Sequence, residues 1–200
     1  MKETARLEAF SDGVFAIAIT LLVLELKVPE IESKTNAALW QALGAQWPSY
    51  LAYLSSFFTI LIIWVNHHRL FNLVHRTNRG FMYLNGLLLL LVTTIPFPTA
   101  LLADYILTDA AAVACAIYTS LYLLLALIFN WLWYYSLRHE LITKSNANFQ
   151  GVRRGYLLGP FLYGAAVLLS FFMPLLSVLI CLAMAVYFAI LDYEIKVGIN

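Results

Sequence analysis

The residues of this sequence that could do chemistry gather around one end of a long apolar stretch. Asp12 lies near the start of the stretch 6–26, and Asn66 and His67 close a second apolar run. A carboxylate within a membrane span is costly unless it finds a partner. We expect Asp12 to accept hydrogen bonds from His67, Asn66 or the Trp64 indole in a buried polar network. The alternative is that Asp12 caps its helix at the interface and remains in contact with water.

Metal and enzyme chemistry find little support in these residue types. Adjacent His67 and His68 point about 100° apart on a helix, whereas two metal ligands on one helix need i, i+4 spacing. The sequence carries no Gly-rich phosphate loop, no Ser-His-Asp set and no paired carboxylates within a span. We therefore expect no enzyme, no metal and no cofactor, and the net charge of +1 gives no reason to expect nucleic-acid binding.

A second set of candidate residues forms one face of the first apolar stretch. At helical spacing this face carries Gly13, Ile17, Thr20 and Leu24, with Leu21 beside them. In a symmetric oligomer such a face could line an axial pore, with apolar rings as constrictions and a ring of Thr hydroxyls as a polar layer. Ordinary helix packing explains the same pattern, and the residues alone leave both interpretations open.

Two other functions compete with a pore. A proton-linked carrier of small solutes or cations could use Asp12 and His67, although coupled carriers usually place ionisable groups near the bilayer midplane. A scaffold that transports nothing is the second alternative. The sequence has no segment like the Thr-Val-Gly-Tyr-Gly filter of familiar potassium channels.

Composition indicates the class of protein that positions these residues. Of the 200 residues, 62% are hydrophobic and 12% are charged, and the mean hydropathy is +0.82. A soluble domain needs many more charged residues on its surface, so we expect an all-α polytopic membrane protein forming one domain over 1–200. The clean apolar run 13–24 rises only about 18 Å, against about 30 Å of hydrocarbon. We therefore expect the first helix to lie inside an assembly.

Apolar runs and prolines predict six membrane-spanning helices. Their ranges are 4–27, 48–69, 81–102, 110–137, 156–173 and 174–195. Pro96 and Pro98 should disturb the outer end of the third helix. Thr35 can cap a short interfacial helix before Trp47, although that piece could equally be the start of the second helix.

The distribution of Lys and Arg predicts the orientation. With both termini in the cytoplasm, the inner side holds ten such residues and the outer side two, Lys27 and Lys34. This positive-inside bias supports an even number of spans. The ten are Lys2, Arg6, Arg69, Arg76, Arg79, Arg138, Lys144, Arg153, Arg154 and Lys196.

One motif resembles a known family. The pattern Arg6-x-x-x-Phe10-Ser11-Asp12, followed by Gly-Val-Phe-Ala-Ile-Ala-Ile-Thr-Leu-Leu-Val-Leu-Glu-Leu, resembles the first-helix signature of the transmembrane-protein-175 family of potassium channels. The segment Trp64-Val-Asn66-His67-His68 resembles the end of the family's second helix. The resemblance implies a homotetramer in the plasma membrane of a prokaryote, with the first helix lining the pore and potassium as the permeant ion.

The resemblance also implies roles for individual residues. Ile17 would form the main hydrophobic constriction, Thr20 the hydroxyl layer tied to potassium preference, and Leu21 and Leu24 further pore-facing positions. A second set would hold the first helix against the second in a structural and gating network. Its members would be Arg6, Phe10, Ser11, Asp12, Trp64, Asn66 and His67.

Overall fold

The computed structural model describes residues 4–142 and 149–197, with side chains described for 4–142 and 158–187. Lys2 and Lys144 lie outside the described residues, as do the side chains of Arg153, Arg154 and Lys196. The described chain folds into a bundle of α-helices. The helices are α1 (Ala5–Leu21), α2 (Asn36–Ala45), α3 (Trp47–Leu73), α4 (Arg79–Thr94), α5 (Pro96–Tyr105), α6 (Ala111–Arg138), α7 (Phe149–Ser170) and α8 (Pro174–Val197).

The first span ends as an α-helix earlier than the expected limit of residue 27. From Leu22 to Glu25 the chain continues as a tighter 3₁₀ turn. In the last α-helical turn the Thr20 hydroxyl donates to the Ile17 carbonyl at 2.9 Å. A 3₁₀ turn is common where a helix ends.

Proline and capping residues set two further boundaries as predicted. Elsewhere the ranges differ, since α3 continues past residue 69 to Leu73 and α7 begins at Phe149 instead of residue 156. The predicted third helix divides at Ile95 into α4 and α5, because Pro96 and Pro98 cannot donate backbone hydrogen bonds. The Thr35 hydroxyl accepts a 3.3 Å hydrogen bond from the Ala38 amide, and α2 is a separate helix that ends before α3 begins at Trp47.

Helices α3 and α6 form the centre of the bundle. Helix α6 packs against α4, α5, α7 and α8, and α3 packs against α1, α5 and α8. The two helices are joined by buried hydroxyl groups, because Ser56 of α3 lies 3.3 Å from the Tyr118 hydroxyl and 3.0 Å from the Tyr122 hydroxyl of α6. On one side of the bundle the segments after α3 and α6 meet, where the His75 amide donates to the Leu141 carbonyl at 3.0 Å.

Length and apolar character identify the candidate membrane spans. Four described segments qualify, namely Ala5–Glu25, Trp47–Leu73, Arg79–Tyr105 and Ala111–Arg138. In the last two helices the apolar segments with described side chains, Leu158–Ser170 and Pro174–Tyr187, are shorter. The chain is therefore a multi-pass membrane protein, and six spans with cytoplasmic termini stay a prediction.

Candidate functional site

Helix α1 has one face buried in its own chain and one face left open. Phe15, Ala18 and Leu22 are buried against the bundle, whereas Ile17 is 60% and Leu24 67% exposed. Only 22% of this span is buried, compared with 33–44% in the other three candidate spans. The chain alone therefore does not surround its first helix, and any enclosure of the open face requires further copies or lipid.

The open face carries the side chains that sequence patterning groups together. The predicted members are Gly13, Ile17, Thr20, Leu21 and Leu24, which lie at helical spacing on one stripe. Phe10, expected in the network behind the helix, is 63% exposed on the same face, so that placement is wrong. The six residues together are called the α1 stripe. The Thr20 hydroxyl donates its hydrogen to the Ile17 carbonyl. Its oxygen lone pairs remain available, so a cation or a water molecule beside the stripe would meet an acceptor.

A directed chain of hydrogen bonds holds the buried face of α1. His67 Nε2 donates to Asn85 Oδ1 at 2.8 Å, and Asn85 Nδ2 donates to Ser11 Oγ at 3.0 Å. The Ser11 hydroxyl in turn donates to the Leu7 carbonyl at 2.8 Å. Ser11, His67 and Asn85 are each fully buried. Because Ser11 spends its only hydrogen on the backbone, it must accept from the Asn85 amide, which fixes the orientation of that amide.

The ring of His67 is held between two phenylalanines. Phe15 of α1 meets it edge-on with ring centroids 5.3 Å apart, and Phe71 stacks on it at 4.3 Å. His67 Nδ1 is buried and has no hydrogen-bond partner among the described residues. A His67 ring that donates through Nε2 presents a bare lone pair at Nδ1, so the described packing suits the neutral ring.

Two acidic residues of α1 form a second set of contacts with α3, nearer the surface. The Trp64 indole donates to Asp12 Oδ1 at 2.9 Å, and His68 Nδ1 lies 3.2 Å from Glu8 Oε1. The rings of Trp64 and His68 stack at 6.1 Å. Glu8 and Asp12 are four residues apart on α1, and Trp64 and His68 are four residues apart on α3. The two antiparallel helices therefore meet at successive turns.

The structure brings together only part of the predicted network. Of the three partners expected for Asp12, the structure shows the Trp64 indole, whereas His67 bonds Asn85. Asn66 follows Trp64 by two residues, about 200° around the helix, and lines a cavity on another side of α3. Arg6 is exposed in the first turn of α1.

Sequence reasoning missed Asn85, Glu8 and His68. Asn85 stands alone in the apolar segment of α4, and an amide buried in a span is expensive unless it is bonded, so its position was a usable signal. Glu8 could have been found because it lies four residues before Asp12, on the same face of the first helix. His68 could have been found because it lies four residues after Trp64, on the same face of the second.

The arrangement holds a helix in place and offers no catalytic centre among the residues with described side chains. No group of three or more His, Cys, Asp or Glu side chains could hold a metal ion there. The carboxylate of Asp12 and the imidazole of His67 have separate partners. What the site presents outward is an apolar stripe with one hydroxyl level, supported from behind by buried hydrogen bonds.

The sequence is similar to a family model and to potassium channels of two bacteria. A family model described as "Endosomal/lysosomal potassium channel TMEM175" matches residues 6–96. A potassium channel of Chamaesiphon minutus is 50% identical over 191 residues, covering 94% of each chain. A potassium channel of Streptomyces collinus is 52% identical over 139 residues, covering 69% of this chain and 66% of that relative. These relatives are named channels, not enzymes.

The fold agrees with the sequence comparison. The crystal structure of a lysosomal potassium-selective channel TMEM175 homolog from Chamaesiphon minutus superposes with a TM-score of 0.83. It is 51% identical and covers 94% of this chain and 97% of that chain. The helix order described above is therefore shared with a solved channel over nearly the whole length.

Proposed function

Because this chain belongs to the TMEM175 family, we propose that it is a potassium-selective cation channel. Ions pass along an axis between α1 helices from four copies, and the α1 stripe lines that path. The channel needs no cofactor, and potassium is the ion that permeates. Its place is the plasma membrane of a prokaryote, with six spans, both termini in the cytoplasm and residues 1–200 acting as one domain.

The observation that carries the proposal is the contrast between the two faces of α1. A span with so little of its surface buried would normally face lipid, yet this one has Glu8 and Asp12 in its first turns and a short clean apolar run. Hydrogen bonds hold its back against α3 and α4, and the bond to α4 is buried. Copies of the same face around an axis account for the exposure, the length and the polar support together.

Within this proposal, two levels of the stripe have different roles. Ile17 forms an apolar ring that blocks the closed channel, since a narrow hydrophobic ring expels water and raises the barrier to ions. Thr20 lies one turn further on and offers hydroxyl oxygens that replace part of the hydration of potassium. Leu21 and Leu24 continue the lining toward the end of the span. Ser11, Asp12, Trp64 and His67 keep the stripe turned toward the axis.

Potassium flux through liposomes that contain the purified protein tests the function. We expect passive flux that favours potassium over sodium and shows no saturation at low ion concentration. Flux that saturates and requires a proton gradient would replace the channel with a proton-linked carrier. Absence of potassium flux from a preparation shown to be folded and tetrameric would contradict any transport function.

A further inference from the structure

A cavity inside one subunit lies on the side of α3 away from α1. It has a volume of about 70 Å³ and is bounded by α3, α6, α7 and α8. Its walls are largely hydrocarbon, including Ile62, Ile63 and Leu125. Space is left because three lining positions carry small residues, namely Ala126, Gly159 and Ala185. The volume exceeds the roughly 10–15 Å³ that one water molecule needs.

Most polar side chains around the cavity are already engaged. The Thr59 hydroxyl donates to the Ser55 carbonyl at 2.8 Å, and Asn130 Nδ2 donates to the Ala126 carbonyl at 2.8 Å. The Tyr122 hydroxyl belongs to a buried cluster, 3.0 Å from Ser56 Oγ and 2.9 Å from the Tyr118 hydroxyl. These groups therefore use the hydrogens named here within the protein, whereas the Thr59 oxygen keeps lone pairs that can accept a hydrogen bond.

Tyr163 is the exception. Its side chain is 7% exposed and lines the cavity, yet its hydroxyl has no hydrogen-bond partner among the described residues. An unbonded hydroxyl in such a place is costly, and a bound partner would remove the cost.

We propose that this cavity binds a small neutral molecule with a short apolar body and one hydroxyl, such as an alcohol of two to four carbons. The hydroxyl of the ligand exchanges a hydrogen bond with Tyr163, and its methylenes lie against Ile62 and Leu125. No charged side chain lines the cavity among the described residues, which argues against an ion. A single water molecule suits it less, because it needs only about 10–15 Å³ and would leave most of the hydrocarbon wall without contacts.

The size of the cavity agrees with this class of ligand. An apolar cavity of about 150 Å³ accommodates benzene, so about half that volume suits a molecule of around four heavy atoms. A lipid acyl chain is longer than the cavity and would leave the Tyr163 hydroxyl unbonded. Such a small ligand should bind weakly, because few atoms contribute to its affinity.

Binding can be located with 2-bromoethanol, whose bromine is visible by anomalous scattering. In crystals of the full chain soaked with it, we expect a bromine peak within the cavity beside Tyr163. The peak should weaken in Tyr163→Phe, which keeps the volume but removes the hydroxyl, and disappear in Ala185→Leu or Ala126→Leu, which fill the space. Tyr83→Phe on an exposed position of α4 and Ala37→Leu on α2 should leave the peak unchanged.

Two results would overturn the proposed binding site. A cavity without bromine in the native chain would reject it, and so would a peak that persists in both filled variants. Ala185→Leu and Ala126→Leu are both included so that the test survives if one of them does not fold. Tyr163→Phe leaves the packing volume intact and therefore remains informative in every case.

The cavity also has a position from which it could regulate conduction, a step that rests on the proposed function. Ile62 and Ile63 line the cavity, whereas Ile60 and Trp64 line the groove between α3 and α1. An occupant therefore rests against the back of the helix that holds α1. It stabilises the described packing of α3, so we expect 2-bromoethanol to lower potassium flux at least twofold in the native chain.

The flux measurement separates this regulation from the function itself. In Ala126→Leu the response to 2-bromoethanol should be lost while potassium flux without alcohol persists. An equal response in both proteins would mean that the alcohol acts through the lipid, and it would overturn the regulatory role. Absence of potassium flux from every protein would contradict the channel function, whereas the bromine position would still decide the binding site.

Discussion

Asn85 of α4 donates a 3.0 Å hydrogen bond to Ser11 of α1, and this bond links the two helices inside the bundle. The same amide accepts from His67 of α3 at 2.8 Å. Three helices are thus tied by one fully buried side chain. Because Asn85 holds Ser11 on the buried face of α1, it determines which face of α1 turns outward.

Removing this amide should destabilise the fold. Asn85→Leu keeps the number and branching of the side-chain heavy atoms but leaves the His67 Nε2 hydrogen and the Ser11 oxygen without their partner. We expect a loss of about 1–2 kcal/mol in unfolding free energy, since hydrogen bonds within spans contribute modestly and a stranded buried donor costs about 1–3 kcal/mol. Thermal unfolding of the purified protein in detergent measures this. Thr93→Val, on an exposed position of the same helix, is the control, and an equal effect of both substitutions would show that Asn85 has no special role.

The contact between Asp12 and Trp64 can be measured as a coupling. Asp12→Asn, Trp64→Phe and the double variant form a cycle around the 2.9 Å hydrogen bond. Both side chains keep some exposure, so we expect a coupling of about 1 kcal/mol, below the range for buried charged hydrogen bonds. The stability of the assembled protein to heat in detergent is the readout. Strictly additive single effects would show that Asp12 is solvated and that the two residues act independently.

Helix existence and most boundaries could be predicted from the sequence, because they depend on local properties. Apolar length predicted the four spans that the structure describes as long enough, and Pro96 and Pro98 predicted the disturbance between α4 and α5. The Thr35 hydroxyl favoured a separate α2, one of two alternatives that the sequence left open. Each of these signals lies within a few residues of its effect. The early end of α1 was not predicted, because residues 22–24 are as apolar as the preceding turns and the first proline after them is Pro29.

The partners of the polar side chains could not be predicted in the same way. Whether His67 reaches Asp12 or Asn85 depends on the rotation of α3 about its own axis and on its depth beside α1 and α4. One residue changes the direction of a side chain by about 100°, which is why neighbouring Asn66 and His67 serve different surroundings. Such rotations are set by the packing of the whole bundle.

The junction that begins α4 offers a test of packing outside the candidate pore. A Cβ atom at Gly80 would collide with the hydroxyl end of Tyr135, which donates a 3.2 Å hydrogen bond to Asn78 Oδ1. Asn78 caps α4 by accepting from the Phe81 amide at 2.9 Å. Gly80→Ala should therefore displace Tyr135 and weaken the cap. We expect the free energy of unfolding to fall by about 1 kcal/mol, which a lower melting temperature would report.

Shortening the obstructing side chain should restore that loss. In a Tyr135→Leu background, Gly80→Ala should cost less than in the native chain, because the collision is gone. Gly86→Ala on the same helix is the matched control, since a Cβ there meets open space. Equal costs of Gly80→Ala in both backgrounds would exclude steric conflict with Tyr135 as the cause.

The apolar constriction proposed at Ile17 predicts opposite results for two substitutions at one position. Ile17→Asn should wet the ring and raise basal potassium flux several-fold, because a polar side chain lowers the cost of hydration in a narrow passage. Ile17→Leu keeps the ring apolar and should leave flux low. Both are compared in liposomes at equal amounts of assembled protein. Unchanged flux in Ile17→Asn would remove Ile17 from the conduction path.

The hydroxyl layer proposed at Thr20 should govern ion preference more than total flux. Thr20→Val keeps the shape of the side chain and removes the oxygen that the structure leaves available beyond its bond to the Ile17 carbonyl. A potassium ion passing this level would then lose acceptors that replace its hydration shell, so the preference for potassium over sodium should fall. Reversal potentials under mixed potassium and sodium gradients measure that preference directly.

Thr20→Ser separates the hydroxyl from the methyl group at this level. Serine keeps an oxygen acceptor and the capacity to bond the Ile17 carbonyl, so its selectivity should stay close to that of the native chain. If Thr20→Ser and Thr20→Val lose selectivity equally, the methyl group and the width of the passage control ion choice. If neither substitution changes the reversal potential, the α1 stripe discriminates elsewhere, and Thr20 serves only to tighten the end of its own helix.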